Sequence, residues 1–190
     1  MKVVLATANR GKQRELAGLL APLGLELVLA ADLGIAGAEE TGSTFEANAL
    51  LKARHAARMA QLPALADDSG LEVDALDGRP GVYSARFAGP DAGDADNNAL
   101  LLEQLRDFPL AQRRARYRCV LALVRAAEDP APLLARGRWE GRIASAPAGA
   151  GGFGYDPLFV PEGYQQTVAE LPAALKQQHS HRALAAADLA

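Results

Sequence analysis

A single cysteine, Cys119, stands in the 190 residues, so no internal disulfide can staple this chain. None is needed at this length, because surface scaling lets such a chain bury roughly 70% of the surface its unfolded form exposes. Cys119 lies within Tyr117-Arg118-Cys119-Val120-Leu121, a strand-like run in which a packed thiol is expected rather than a nucleophile. Long apolar runs are missing as well. The N-terminus offers only Val3-Val4-Leu5-Ala6 before polar residues, too short for a secretory leader, and no segment approaches membrane-spanning length. A cytoplasmic chain with no membrane partner is the expectation. Charge of one sign is scarce too: 20 Lys and Arg against 23 Asp and Glu leave a net charge of −3, which argues against a general nucleic-acid surface. Arg113, Arg114, Arg116 and Arg118 form a local basic cluster. Their alternation over 116–124 reads as the solvated face of an edge strand rather than a phosphate track, so no nucleic-acid partner is expected. Repeats, linkers and low-complexity segments are absent. With 49% hydrophobic and 23% charged residues, the chain is expected to form one globular domain over 1–190.

What is present is an alternation of strand and helix patterns. A strand is expected over 3–6 and a helix over 12–20, with Leu16, Leu19 and Leu20 on one face and Pro22 and Gly24 stopping it. A second strand follows over 26–30. Ser43 and Glu46 then read as a capping box opening a longer helix that turns Phe45, Ala49, Ala53, Ala56 and Ala60 inward. Pro63-Ala64-Leu65-Ala66 reads as a short buried strand. A Gly/Pro-rich stretch through Gly78, Pro80, Gly81 and Gly89 leads to a Leu-rich helix over 95–106. A hairpin of strands 115–125 and 132–139 is expected to turn at Glu128-Asp129-Pro130. Helix-separated strands early and a hairpin late imply an α/β fold with a mixed sheet.

Five segments carry chemistry-bearing residues. Asp67-Asp68-Ser69-Gly70 follows the short strand; two charged groups at the edge of a core are costly to desolvate unless a cation compensates them, although Asp-Ser-Gly is also good turn chemistry. Thr7-Ala8-Asn9-Arg10-Gly11-Lys12 joins the first strand to the first helix, where helix N–H groups and the dipole face the loop and Lys12 adds a point charge. It is not a Walker A loop, which would need glycine at Ala6 and serine or threonine at Gln13. A polar helix cap is the competing reading. Glu39-Glu40-Thr41-Gly42 precedes the helix that carries Asn48 and Lys52. Glu40 with Asp68 would suit Mg²⁺, which keeps waters and takes its remaining ligands from substrate phosphates. Gly149 to Pro157 holds glycines, Phe153, Tyr155 and Asp156. Phe153 suits stacking on a base, while a glycine-rich hairpin with core aromatics is the alternative. Near the C-terminus, Lys176 and Arg182 lie six apart, so Ser180 is expected to cap a separate final helix starting with His181 and Arg182.

Together with Pro80-Gly81-Val82-Tyr83-Ser84-Ala85-Arg86-Phe87, these segments resemble, in order and spacing along the chain, the inosine/xanthosine triphosphate pyrophosphatase family. The resemblance implies Mg²⁺-dependent hydrolysis of non-standard purine nucleoside triphosphates to monophosphate and pyrophosphate, sanitising the nucleotide pool. It also implies a homodimer and an elongated mixed sheet flanked by helices, with two lobes enclosing a nucleotide-binding groove. By the same resemblance Thr7, Ala8, Asn9, Arg10, Gly11 and Lys12 hold phosphates, and Glu40 and Asp68 hold the metal; the charge of a triphosphate calls for Lys52 and Lys176 to help neutralise it. Asp68 is the proton acceptor and Ser69 a substrate contact. Phe153, Gly154, Tyr155, Asp156, Lys176, His181 and Arg182 complete nucleotide binding. The chain departs from the family pattern at Ala47, Ala174, Leu175 and His179. Arg182 or His181, offering donors to a purine 6-carbonyl where adenine offers a donor of its own, is expected to exclude ATP.

Overall fold

The computed structural model describes residues 1–190. Its strands are β1 (Lys2–Ala6), β2 (Glu26–Leu29), β3 (Ala64–Val73), β4 (Arg114–Val124), β5 (Leu133–Ile143) and β6 (Phe159–Pro161). Its helices are α1 (Arg10–Leu20), α2 (Phe45–Ala60), α3 (Asp94–Leu105), α4 (Ala173–His179) and α5 (His181–Leu189). The strands form one six-stranded mixed sheet in the order β2-β1-β3-β4-β5-β6, with β1 parallel to both β2 and β3 and β5 antiparallel to β6. This is the expected α/β class. The chain gathers into two compact units, and the boundaries between them fall within β3, β4, β5 and the first turn of α5.

The first unit comprises Met1–Asp68, Cys119–Gly137 and Arg182–Ala190. Val3, Val4 and Leu5 are wholly buried, which explains why β1 reads as an unbroken apolar run: a strand with parallel neighbours on both sides has both faces covered. Odd-numbered strand residues Val3, Leu5, Leu65, Cys119 and Leu121 form one core with Leu16 and Leu20 of α1 and Ala185 and Ala186 of α5. α2 packs on β1 through its alanine face, of which Ala49 and Ala53 are fully buried. Its N-cap is Thr44, whose hydroxyl accepts from the Ala47 N–H at 3.1 Å, and not Ser43 as expected. Glu46 is drawn away from a capping box by Arg136, 3.1 Å distant. The turn at Asp129 forms as expected, its carboxylate accepting from the backbone N–H groups of Arg125 and Ala131.

The second unit comprises Ser69–Arg118 and Arg138–His181. Its core joins Leu71 and Val73 of β3, Leu101 and Leu105 of α3, and Tyr117 of β4 with Trp139, Tyr155, Leu158 and Phe159. The arginine cluster corrects the expectation of an edge. β4 is a central strand between β3 and β5, and its Arg116 and Arg118 face acids from neighbouring segments. Arg116 lies 2.8 Å from Asp74 and 3.2 Å from Glu140, and Arg118 lies 3.4 Å from Glu72. Carboxylates from outside β4 neutralise Arg116 and Arg118, a fact no local alternation could disclose.

Candidate active site

Asp67 and Asp68 do not close a strand. β3 runs on through Ser69 and Gly70 to Val73, so the turn chemistry of Asp-Ser-Gly is overridden by the apolar alternation of Leu71 and Val73. Both carboxylates are buried, at 1% and 4% exposure. Successive strand residues face opposite sides of a sheet, which separates two groups that look paired in the sequence.

Asp67 faces the α1 and α5 side. Lys12, in the first turn of α1, places Nζ 3.1 Å from Asp67 Oδ2, and Arg182 Nε of α5 lies 3.6 Å from the same oxygen. Arg182 is held also by Glu15 at 2.9 Å. Burial works to raise the Asp67 pKa, but Lys12, Arg182 and Lys52 overcome it and hold the carboxyl well below the usual carboxylate range. The loop leading into this cluster is itself built. Asn9 caps α1 by accepting from the Lys12 N–H at 3.0 Å, and Gln13 Nε2 donates to the Thr7 carbonyl at 2.8 Å. Thr7 is half-buried, while Ala8, Asn9 and Arg10 stand exposed at the N-terminus of α1.

Asp68 faces α2. Lys52 Nζ lies 2.7 Å from Asp68 Oδ1 and 2.7 Å from Glu40 Oε1, so one ammonium gathers the two carboxylates singled out as metal ligands. Asn48, one helical turn before Lys52 and wholly buried, accepts from the Gly42 N–H at 2.8 Å and pins the Glu40 segment to the helix. Only glycine fits there, because a Cβ on residue 42 would sit 2.6 Å from Asn48 Oδ1. Asp68 Oδ2 is buried with no hydrogen-bond partner. Burial raises the Asp68 pKa, and Lys52 only partly offsets it. At Lys52 the balance runs the other way: burial works to lower its pKa, yet Asp67, Asp68 and Glu40 raise it. A buried, unpartnered carboxylate oxygen beside a second carboxylate could serve as donors to a hard divalent cation, which takes oxygen ligands.

In the second unit Asp156 is the hub. Its Oδ2 accepts from Lys176 Nζ at 2.6 Å and from the Phe153 N–H at 3.0 Å, and its Oδ1 accepts from the Tyr117 hydroxyl at 3.1 Å. Lys176 Nζ also sits 4.3 Å from the centre of the half-buried Phe153 ring. Gly152 takes φ +74°, and any Cβ there would enter the Asp156 carboxylate. Gly154 is fixed from both sides, its N–H by Asp94 and its carbonyl by Asn98. Tyr155 is a core aromatic whose hydroxyl donates to the Ser84 carbonyl at 2.8 Å. Ser84 in turn ties the 81–86 turn to β3 by accepting from the Leu71 N–H, which accounts for the Pro80 to Phe87 motif as scaffolding. Ser180, extended at φ −67° and ψ 162°, separates α4 from α5 as expected. His181, 2% exposed, stacks on Tyr117 with ring centres 4.6 Å apart.

The expected residues thus fall into three groups: Lys12 with Arg182 around Asp67; Glu40 with Lys52 around Asp68; and Phe153, Lys176 and His181 around Asp156 and Tyr117. The sequence reading did not place Glu15, Asn48, Asp67 or Tyr117 in these groups. A polar Asn48 on an alanine-lined helix face was a readable sign; Glu15 and Tyr117 carried none.

A model of the Ham1 family matches residues 3–190. The dITP/XTP pyrophosphatase of Shigella flexneri is 58% identical over 181 residues, covering 95% of this chain and 92% of that protein. The dITP/XTP pyrophosphatase of Escherichia coli strain K12 is 57% identical over the same shares. Among solved structures, a HAM1 protein from Coxiella burnetii superposes with a TM-score of 0.92 at 46% identity, covering 100% of this chain and 96% of that one. The Staphylococcus aureus Ham1 protein gives 0.87 at 37% identity, also over 100% of this chain and 96% of that one.

Proposed function

Because this chain belongs to the Ham1 family, we propose that it is a hydrolase cleaving non-standard purine nucleoside triphosphates, dITP, ITP and XTP, to the monophosphate and pyrophosphate in the cytoplasm. The observation that carries the chemistry is the unpartnered Asp68 Oδ2 beside Glu40, with Lys52 bridging the two acids. The match over 3–190 supports treating both compact units as one catalytic domain.

Glu40 and Asp68 would hold Mg²⁺, which supplies charge neutralisation on the phosphates and eases proton loss from water. The protein's own part is as follows. A triphosphate brings about four negative charges, and Lys12, Lys52 and the N-terminus of α1 meet them. Asp67 keeps Lys12 aimed by its 3.1 Å ion pair. Water attacks the α-phosphorus in line, and Asp68 orients it and accepts its proton. Ser69, next along β3, contacts the substrate. Pyrophosphate departs as its charge spreads over the lysines, and no covalent intermediate is required.

For the second unit we assign Phe153 to stacking on the base and His181 to donating toward a purine 6-carbonyl. Arg182 is turned to Asp67 and Glu15, which moves its role from base reading to anchoring. Adenine presents an amino group at position 6, so the His181 tautomer that turns its N–H toward that position meets a second donor, and ATP is refused by roughly 10⁴-fold. The resemblance also supports a homodimer, which analytical ultracentrifugation checks. Pyrophosphate release from ITP, XTP, ATP and GTP, with and without Mg²⁺, tests the whole reading. Release from ITP and XTP only with Mg²⁺ is expected, and turnover of ATP equal to that of ITP overturns the base assignment.

A further inference from the structure

We infer that Tyr117 is the positioning residue of the base-recognition set, tying Phe153, Lys176 and His181 to one rigid phenol. The inference rests on the purine reading of the second unit. Tyr117 sits on the central strand β4 at 7% exposure, with Phe159 packed 4.6 Å from its ring. Its face carries His181, the two rings lying 15° from parallel. Its hydroxyl donates to Asp156 Oδ1, and Asp156 Oδ2 then takes both Lys176 Nζ and the Phe153 N–H. Lys176 finally rests over the Phe153 ring.

Packing alone does not call for that hydroxyl. The ring packs tilted against Phe159 and stacks on His181, and phenylalanine would fill the same volume. A buried hydroxyl is costly unless partnered, and its partner is the carboxylate from which the loop and the lysine are both hung. Asp156 needs orientation for a reason of geometry. One of its oxygens serves two donors at once, and a rotation about its terminal torsion would release them together. The Tyr117 hydroxyl occupies the other oxygen and fixes that torsion. Stacking does for His181 what the hydrogen bond does for Asp156, holding the imidazole plane in one orientation. Two recognition elements from separate segments are therefore referenced to a single side chain in a strand.

The two functions of Tyr117 separate by substitution. Tyr117→Phe removes the hydroxyl and keeps the stack; it should raise the KM for ITP about fivefold while kcat stays within about twofold, the scale of one lost hydrogen bond. Preference for ITP over ATP should survive, because His181 keeps its ring partner. Tyr117→Leu removes both, and that preference should fall about tenfold further, as for a site whose polar group has lost its aim. Calorimetric binding of inosine monophosphate should weaken in step with KM. A Tyr117→Phe protein with wild-type KM overturns the inference, as does a parallel loss of kcat and KM tracking a fall in Tm. If Tyr117→Leu does not fold, Tyr117→Phe decides alone. Wild-type protein that releases no pyrophosphate from ITP defeats the underlying reading and the inference with it, whereas active wild type with unchanged variants defeats the inference only.

Discussion

Asp67 and Asp68 are neighbours in the chain and equally buried, yet the two faces of β3 use them for opposite ends. On one face Lys12 and Arg182 crowd Asp67, and their charge outweighs the desolvation penalty, so the carboxyl is held ionised far below its ordinary range. On the other face Lys52 is shared with Glu40, and burial prevails, so Asp68 becomes a stronger base. Burial is common to both; the count of cations decides. A carboxylate with cations to spare is an anchor, and one left short is available for chemistry.

The sharpest way to break this contrast is to neutralise each acid in turn. Asp68→Asn should lower kcat by about 10³-fold, within the range of a lost general base, with a Tm close to that of wild type. Near-normal pyrophosphate release would remove Asp68 from the mechanism. Asp67→Asn should instead unfold the protein more easily, by about 3 kcal/mol, because Lys12 and Arg182 are left together without their anion. Urea unfolding measures this, and an unchanged midpoint would deny Asp67 its anchoring role.

Acidity gives the contrast a sign. Asp67 has a folded pKa below its ordinary 3.8, so its contribution to stability is complete above 3.8 and is lost as pH falls through the folded value. Asp68 has a folded pKa above 3.8, so folding takes up its proton and stability declines as pH rises from 3.8 through the folded value. In chelator-treated protein, the stability difference between wild type and Asp67→Asn should therefore grow with pH, and that between wild type and Asp68→Asn should shrink. Slopes of the same sign would show that the two faces do not differ as described.

Two smaller effects refine the Asp68 face. Glu40→Gln should raise the Mg²⁺ concentration required for turnover about tenfold, on the scale of altering a metal's surroundings. Asn48→Ala frees the Gly42 N–H and should cost about 1 kcal/mol of stability. The accompanying rise in the Mg²⁺ requirement should be smaller than for Glu40→Gln, since Glu40 itself remains.

Local patterns made much of the scaffold legible. Val3 to Ala6 read as a strand, and the alanines of α2 read as the inward face of a helix; Val3 to Leu5 and Ala49, Ala53 and Ala56 are indeed buried. The position of the Thr7 to Lys12 loop followed from knowing where a strand gives way to a helix. What failed depended on partners distant in the chain. Asp-Ser-Gly spells a turn when read alone, but β4 alongside keeps residues 67–70 extended. Arg116 and Arg118 look solvated until Glu72 and Glu140 of the neighbouring strands and Asp74, just beyond β3, are brought against them. Ser43 and Glu46 satisfy a capping pattern that Thr44 fills and Arg136 disrupts. Tyr117 passed for an ordinary strand aromatic because neither Asp156 nor His181 is near it in the sequence.

Cys119 has one more consequence. Sealed within the sheet, its thiol pKa is pushed up to about 12, foremost by burial and then by the charge on Asp67. An alkylating reagent at neutral pH meets almost no thiolate in the native molecule and a reactive one as soon as the sheet opens. The chain thus carries its own stopwatch: the rate at which iodoacetamide mass accumulates, one label per molecule, times the opening of the region around β4 without any engineered probe.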